Sequence, residues 1–315
     1  MNNKQQPLVS IAVCTYNGEK FLIEQLDSLL GQSYRHIEVI VVDDCSKDDT
    51  FSILKQYKEK NSNFKAYQND QNLGYIKNFE KAISLCNGDY IALCDQDDIW
   101  DHSKIELQLD SIGDHALIYH DSEFIDDQGR SLGKKKSNVL NMYQGDSSIP
   151  FLFFNCVSGH ACLFNRKLIP YCLPFPKEIF HDRWLTFAAT NNGGITYLDK
   201  ALVKYRQHEN TDTNILKINK GNRKPSVSGQ QKMMKILNEL SYFSKYPYLK
   251  QKNKVEQFYI AYLKWINSYF CGSLAALMIS NYKLLFFIPK KGFFSNLNFI
   301  VKHFFGGKFK KNASF

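Results

Sequence analysis

Four short apolar runs alternate with amphipathic segments before residue 98, and this alternation leaves few folds open. Residues 9–14 (VSIAVC), 37–42 (IEVIVV), 64–67 (FKAY) and 90–94 (YIALC) have strand length and strand composition. Between them Phe21, Leu22, Leu26, Leu29 and Leu30 recur at helical spacing, then Ile53, Leu54 and Tyr57, then Phe79, Ile83 and Cys86. Ser46 followed by Asp49 reads as a helix start. The order β-α-β-α-β-α-β predicts an α/β fold: a mostly parallel, Rossmann-like sheet with helices on both faces. Right-handed crossovers bring Thr15–Asn17, Asp43-Asp44 and Asp95–Asp98 to one edge, where such sheets bind ligands.

The fourth run ends in Asp95-Gln96-Asp97-Asp98. Crowded carboxylates are costly unless a cation sits among them, and hard cations prefer oxygen ligands. An acidic turn after a strand is the plainer alternative. No G-x-G-x-x-G follows the first strand and no P-loop pattern occurs, which argues against dinucleotide cofactors and the usual ATP machinery. A diphosphate bound at this edge needs a divalent ion, held by Asp97 with Asp95 nearby.

Net charge is +9, but it is unevenly placed. From Lys217 onward Glu239 and Glu256 are the only acids, while the first two hundred residues are close to balanced. A basic, aromatic tail on a balanced domain points to an anionic membrane surface rather than nucleic acid. Eight cysteines show no disulfide or zinc spacing, and most lie in apolar strings as reduced core thiols do. The first twenty residues lack a signal-peptide pattern. The expected location is the cytoplasm, at the inner face of the cell membrane.

After Trp100 the pattern loosens. Residues 117–120 and 123–125 read as short strands beside a turn at Asp126–Gly129, and 133–138 as an exposed loop. Residues 157–164 read as a turn into a strand, and 180–189 as a helix. Residues 194–198 and 201–205 read as two strands. A polar stretch at 219–228 sets the expected boundary: a catalytic domain over 1–218, and a basic, aromatic, helical region over 219–315. Residues 233–243 and 255–280 read as helical. The uncharged stretch 265–282 is shorter than the about 20 apolar residues of a spanning helix and carries polar residues. Phe286, Phe287, Phe293, Phe294, Phe299, Phe304 and Phe305 mixed with lysines up to Lys310 and Lys311 suit either a headgroup layer or a helical cap on the catalytic domain.

Several segments together resemble glycosyltransferase family 2. Val9–Asn17 (VSIAVCTYN) resembles its opening strand and loop, and Val41–Asp48 (VVDDCSKD) its V-D-D-G-S-x-D segment. Asn72-Leu73-Gly74 with Lys77-Asn78 resembles its N-x-G…R-N segment, and Asp95–Asp98 its D-x-D-D metal motif. The likeness covers roughly residues 8–210. Gly159–Asn165, His181-Asp182-Arg183-Trp184 and Tyr205-Arg206-Gln207-His208 resemble the bacterial rhamnosyltransferase-like branch, with its H-D-x-W and Y-R-Q-H patterns. Cys45 stands where the family often has Gly, and Cys14 where many members have Pro.

The resemblance implies a GT-A fold and a metal-dependent, inverting hexosyl transfer from a nucleoside diphosphate donor to a saccharide or lipid-linked saccharide in bacterial surface polysaccharide or O-antigen synthesis. It points first to dTDP-rhamnose, then to a UDP-hexose or UDP-N-acetylhexosamine. A non-catalytic nucleotide-sugar-binding protein is the alternative from another class. Thr15, Tyr16, Asn17, Glu19, Asn72 and one of Asp43 and Asp44 would border the nucleotide. Asp95 would reach the ribose or a metal-bound water. Lys77 is either a phosphate contact or a solvated helix lysine, and Arg206 would help bind the diphosphate. Asp97 would ligate Mg²⁺ or Mn²⁺, and His208 the metal or the diphosphate. Asp98 would support the loop or cap a helix. Asp182 would act as general base, with His181 and Trp184 at the acceptor unless Trp184 belongs to the core.

Overall fold

The computed structural model describes residues 6–208 and 228–308. The expected boundary at 218/219 and the tail lysines Lys310 and Lys311 lie outside the described residues. The strands are β1 (Val9–Thr15), β2 (Ile37–Asp43), β3 (Phe64–Gln68), β4 (Tyr90–Cys94), β5 (Ile99–Trp100), β6 (Leu117–Ile125), β7 (Ser131–Lys135), β8 (Cys162–Asn165) and β9 (Ile195–Arg206).

They form one mixed sheet in the order β3-β2-β1-β4-β8-β6-β9-β5, with β7 added to β6. The first four pair in parallel, as alternation with helices requires. Thr15 lies opposite Asp43 and Val13 opposite Cys94, so three polar strand ends share one edge. Strands β1, β2 and β4 are almost wholly buried, because helices cover both faces. Antiparallel β8 then joins β4 to β6, and β6 and β9 run parallel. Strand β5 pairs with β9. The acid loop between β4 and β5 therefore reaches across to the end of β9.

Two pairs of expected short strands are single strands. Residues 117–125 run unbroken through Asp121 and Ser122, with register shifts against β9 there. These polar residues tolerate burial because Asp121 accepts hydrogen bonds from the Ser137 N–H and Oγ and from the Ser122 N–H. The expected exposed loop at 133–138 is part of β7 and a tight turn, Lys136–Asn138, with Lys136 buried. The helical stretch expected over 255–280 breaks into Lys252–Ile266 and Gly272–Ser280, pinned where the Cys271 N–H donates to the Phe304 carbonyl. No helix among the described residues is long and apolar enough to cross a membrane.

The C-terminal helices share a core with the sheet. Leu240, Phe243, Phe258, Trp265, Leu274 and Ile300 join one buried cluster with Ile149, Phe151, Leu185 and Phe187. Phe243 stacks on Phe187 at 4.2 Å between ring centres. Glu239, one of the two late acids, is buried and pairs with Arg183, which also donates to the Phe151 and Leu152 carbonyls.

Candidate active site

The polar sheet edge opens into a cleft of about 1050 Å³. Thr15, Tyr16, Asn17, Asp44, Asn72, Asp95, Asp97 and His208 line it, as expected. Lys20, Phe21, Tyr75, Gln96, Asp126, Asp127 and Gln207 line it too, and sequence reasoning missed them. Lys20 and Phe21 open the helix Glu19–Leu30 that follows β1, a position the strand-end argument alone would have reached.

The loops after β1, β2 and β4 are tied together. The Tyr16 N–H donates to Gln96 Oε1 at 2.7 Å, and Gln96 Nε2 returns a bond to the Tyr16 carbonyl. A Cβ at Gly18 would fall 2.3 Å from Gln96 Oε1, so a larger residue there would displace the amide that ties these loops. Asn17 Oδ1 accepts from the Lys47 N–H, and the Asn17 N–H donates to Ser46 Oγ. Cys45 holds φ +63°, which explains the glycine often found there in the family it resembles.

Asp43 and Asp44 have different settings. Asp43 is fully buried and accepts from Thr15 Oγ1, the Ser46 N–H and Oγ, and Gln68 Nε2. Those four bonds use it as a loop tie. Asp44 faces the cleft while accepting from Asn69 Nδ2 and the Leu73 and Gly74 N–H groups.

The acid loop divides its carboxylates. Asp97 Oδ2 lies 2.7 Å from His208 Nε2, and both side chains are partly exposed to the cleft. Asp98 is fully buried; its Oδ1 accepts the Arg206 N–H at 2.9 Å, and its Oδ2 faces His160 Nδ1 at 3.3 Å. It precedes β5 rather than a helix, so it supports the loop and caps nothing. Burial, then the charges of Asp97 and Asp95, pushes the Asp98 carboxyl well above its usual range. His160 is buried, shares a 2.9 Å hydrogen bond between its Nε2 and Ser122 Oγ and packs 4.4 Å from the Tyr205 ring. Burial, then the ammonium groups of Lys136 and Lys104, takes its imidazole down to about 3, so it is neutral near pH 7. Donor atoms of Asp95, Asp98 and His160 lie within 4.8 Å of one another. Only Asp95 of these lines the cleft.

Three other sequence expectations (Arg206, Glu19 and His181) are corrected, and the open alternatives for Lys77 and Trp184 are narrowed. Arg206 is 2% exposed and does not line the cleft. Its guanidinium donates to the Asp97 and Asp127 carbonyls and pairs with Glu24 at 2.6 Å, so it braces the acid loop instead of reaching a diphosphate. Lys77 is held by Glu80 at 2.8 Å, outside the lining. Glu19 accepts the Asp49 N–H at 2.8 Å, a tie between two helix starts. Trp184 is buried, donates to the Cys172 carbonyl and stacks near Phe187 and Phe243, the core alternative. His181 is buried and lies flat on Phe79 at 4.1 Å, so its ring offers no surface to an acceptor.

Asp182 opens the helix His181–Asn191, with Oδ1 accepting the Arg183 N–H. It is half-buried and is not one of the residues lining the cleft, although the neighbouring His181 packs on Phe79 and Tyr75, which are.

Among the described residues, five carboxylates (Asp44, Asp95, Asp97, Asp126, Asp127) and one lysine line this cleft, and Lys20 lies 3.7 Å from Asp127. This set of charges repels an anionic diphosphate, and a divalent cation would offset the repulsion. The oxygen and imidazole donors of Asp97 and His208 fit Mg²⁺ or Mn²⁺.

Residues 10–171 match the family model "Glycosyl transferase family 2", about half of the chain. The chain belongs to glycosyltransferase family 2. This family 2 glycosyltransferase is 30% identical over 219 residues to an uncharacterized glycosyltransferase of Rickettsia typhi, spanning 67% of this chain and 68% of that one. It is 37% identical over 114 residues to a Bacillus subtilis glycosyltransferase provisionally assigned to teichuronic acid biosynthesis, TuaG, over 36% of this chain and 45% of that one. Among solved structures, S. aureus TarS 1–349 in complex with UDP-GlcNAc superposes with a TM-score of 0.59 at 18% identity, covering 89% of this chain and 82% of that one. The family 2 glycosyltransferase thus has the GT-A fold expected of it.

Proposed function

We propose that this glycosyltransferase moves a sugar, with inversion, from a nucleoside diphosphate donor to a saccharide acceptor of a bacterial surface polysaccharide. The observation that carries the reading is the Asp97–His208 pair at the ligand edge of an otherwise acidic cleft. Asp97 and His208 would hold a divalent ion, with Asp95 beside them. When bound, that ion supplies positive charge for a diphosphate leaving group.

The chain's own residues supply the rest. Asp44, which lines the cleft while Asp43 does not, would accept from a pyrimidine base with the capacity its three bonds leave, and Tyr16, 45% exposed at the rim, offers a flat surface to it. The acceptor hydroxyl attacks the anomeric carbon from the face opposite the diphosphate. Asp182 accepts its proton, which makes the oxygen a competent nucleophile.

A UDP-N-acetylhexosamine donor is supported by the fold likeness to TarS, whose complex contains UDP-GlcNAc. A dTDP-rhamnose donor is supported by the H-D-x-W and Y-R-Q-H likenesses alone. Nucleoside diphosphate release by the full chain, across UDP, dTDP and GDP sugars with Mg²⁺ or Mn²⁺, tests the reading. Neither release nor binding from any donor would overturn it. Asp182→Asn should cut transfer by about 10²–10⁴ while leaving donor affinity unchanged. Normal turnover in that variant would remove Asp182 as the base.

A further inference from the structure

The helix Phe293–Phe304 has three distinct sides. Asn296, Ile300 and His303 are buried against the protein, and Phe299 packs on Phe153 and Phe154. Ser295, Asn298 and Lys302 form an exposed polar flank. Phe293, Phe294, Leu297, Val301 and Phe304 are all exposed among the described residues, Phe294 by 83%. At about 100° per residue these five fall within an arc of about 100°. They form a continuous apolar stripe on the side that does not face the core.

A helix of a globular protein normally turns its apolar face inward. This one has already buried a different face, so the outward stripe serves something else. Its charge setting identifies the occupant. Lys290, Lys291, Lys302 and Lys308 are exposed around it, and the sequence after Glu256 contains no Asp or Glu. A second copy of the chain would bring like charges together across the stripe. An anionic lipid headgroup layer accepts both the lysines and the aromatic side chains. The helix is too short to cross a bilayer, so it would lie in the plane of the surface.

The geometry points to the Phe293–Phe304 stripe as an in-plane docking face for an anionic membrane. This narrows the expectation drawn from the sequence. Phe286 and Phe299 belong to the core side, not to the lipid side. A truncation at Asn281 would strip Leu285, Phe286, Ile288 and Ile300 from the core, so point variants are the sound test.

The full chain is floated with vesicles of phosphatidylcholine alone and of phosphatidylcholine with phosphatidylglycerol. Binding to the anionic vesicles alone, weakening with salt, is the expected result. Phe294→Ser with Leu297→Ser should weaken it by about tenfold or more. Lys291→Gln with Lys302→Gln should weaken it by about tenfold. All these side chains are exposed, so melting temperature and nucleoside diphosphate release without vesicles should not change. Equal binding to neutral vesicles, or wild-type binding by the serine variant, overturns the proposal. A dimer in light scattering that the serine variant dissociates, with no vesicle binding, assigns the stripe to a second copy and also overturns it. Release measured without vesicles keeps failure of docking separate from failure of the transferase reading.

Discussion

His208 Nε2 and Asp97 Oδ2 lie 2.7 Å apart although 111 residues separate them in the chain. Strand β9 makes the meeting possible. It runs beside β6 and pairs with β5, so its last residues arrive at the acid loop. Phe21 holds the imidazole from the other side, 5.2 Å between ring centres.

If this pair holds a divalent ion, the two variants should differ. Asp97→Asn removes a charged oxygen donor and should lower turnover by about 10²–10³, a loss of several kcal/mol in charge stabilisation. His208→Ala removes a neutral donor and should mainly raise the Mn²⁺ concentration needed for half-maximal rate. Metal titrations of initial rate check both, and chelation should abolish activity in the wild type. Equal metal dependence in all three proteins would remove the pair as ligands.

Arg206 illustrates what the sequence hid. An arginine beside a motif histidine reads as an anion contact, yet here every donor group turns inward to carbonyls and Glu24. Arg206→Lys should therefore cost stability more than donor affinity. Each hydrogen bond lost to these carbonyls costs about 0.5–1.5 kcal/mol, so denaturant midpoints should fall. A donor affinity that collapses while the midpoint holds would restore the diphosphate role.

The alternation of apolar runs made the parallel half of the sheet legible, because period and strand length are local signals. The acid loop and the cleft-lining Thr15, Tyr16 and Asn17 followed from that edge. The sequence leaves Trp184 open and misplaces Glu19 because their partners are set by contacts that pattern does not encode, whereas the Lys77–Glu80 pair, three residues apart on one helix, is within its reach. Trp184 meets Phe243 from beyond residue 228, and Glu19 meets Asp49 across two loops. Strand β6 looked interrupted because its buried polar residues are satisfied from elsewhere, and β9 because exposed Asp199 and Lys200 break its apolar pattern in mid-strand.

Cys45 occupies the left-handed region at φ +63°. A side chain costs roughly 1–2 kcal/mol there relative to glycine. Cys45→Gly should therefore raise thermal stability, offset in part by the greater freedom of glycine in the unfolded chain. Chemical denaturation should show a gain of up to about 1 kcal/mol. A loss would mean that the thiol contact with Lys47 outweighs the strain.

Lys104 is fully buried, its Nζ has no hydrogen-bond partner, and it sits 3.2 Å from the centre of the Trp100 ring. The ring face favours the ammonium. Burial opposes it and prevails, lowering the group from 10.5 to about 7. The sign follows from proton uptake. Between about 7 and 10.5 the unfolded chain holds a proton that the folded one has shed, so unfolding binds a proton. Stability then falls as pH drops through this window, by up to about 1.4 kcal/mol per unit, and the loss is complete below the folded value. Lys104→Met should abolish this slope and stabilise the protein most at the acid end of the window. Denaturation midpoints of both proteins from pH 7 to pH 10 check it. Parallel profiles would mean that Lys104 titrates at its ordinary value in the folded chain.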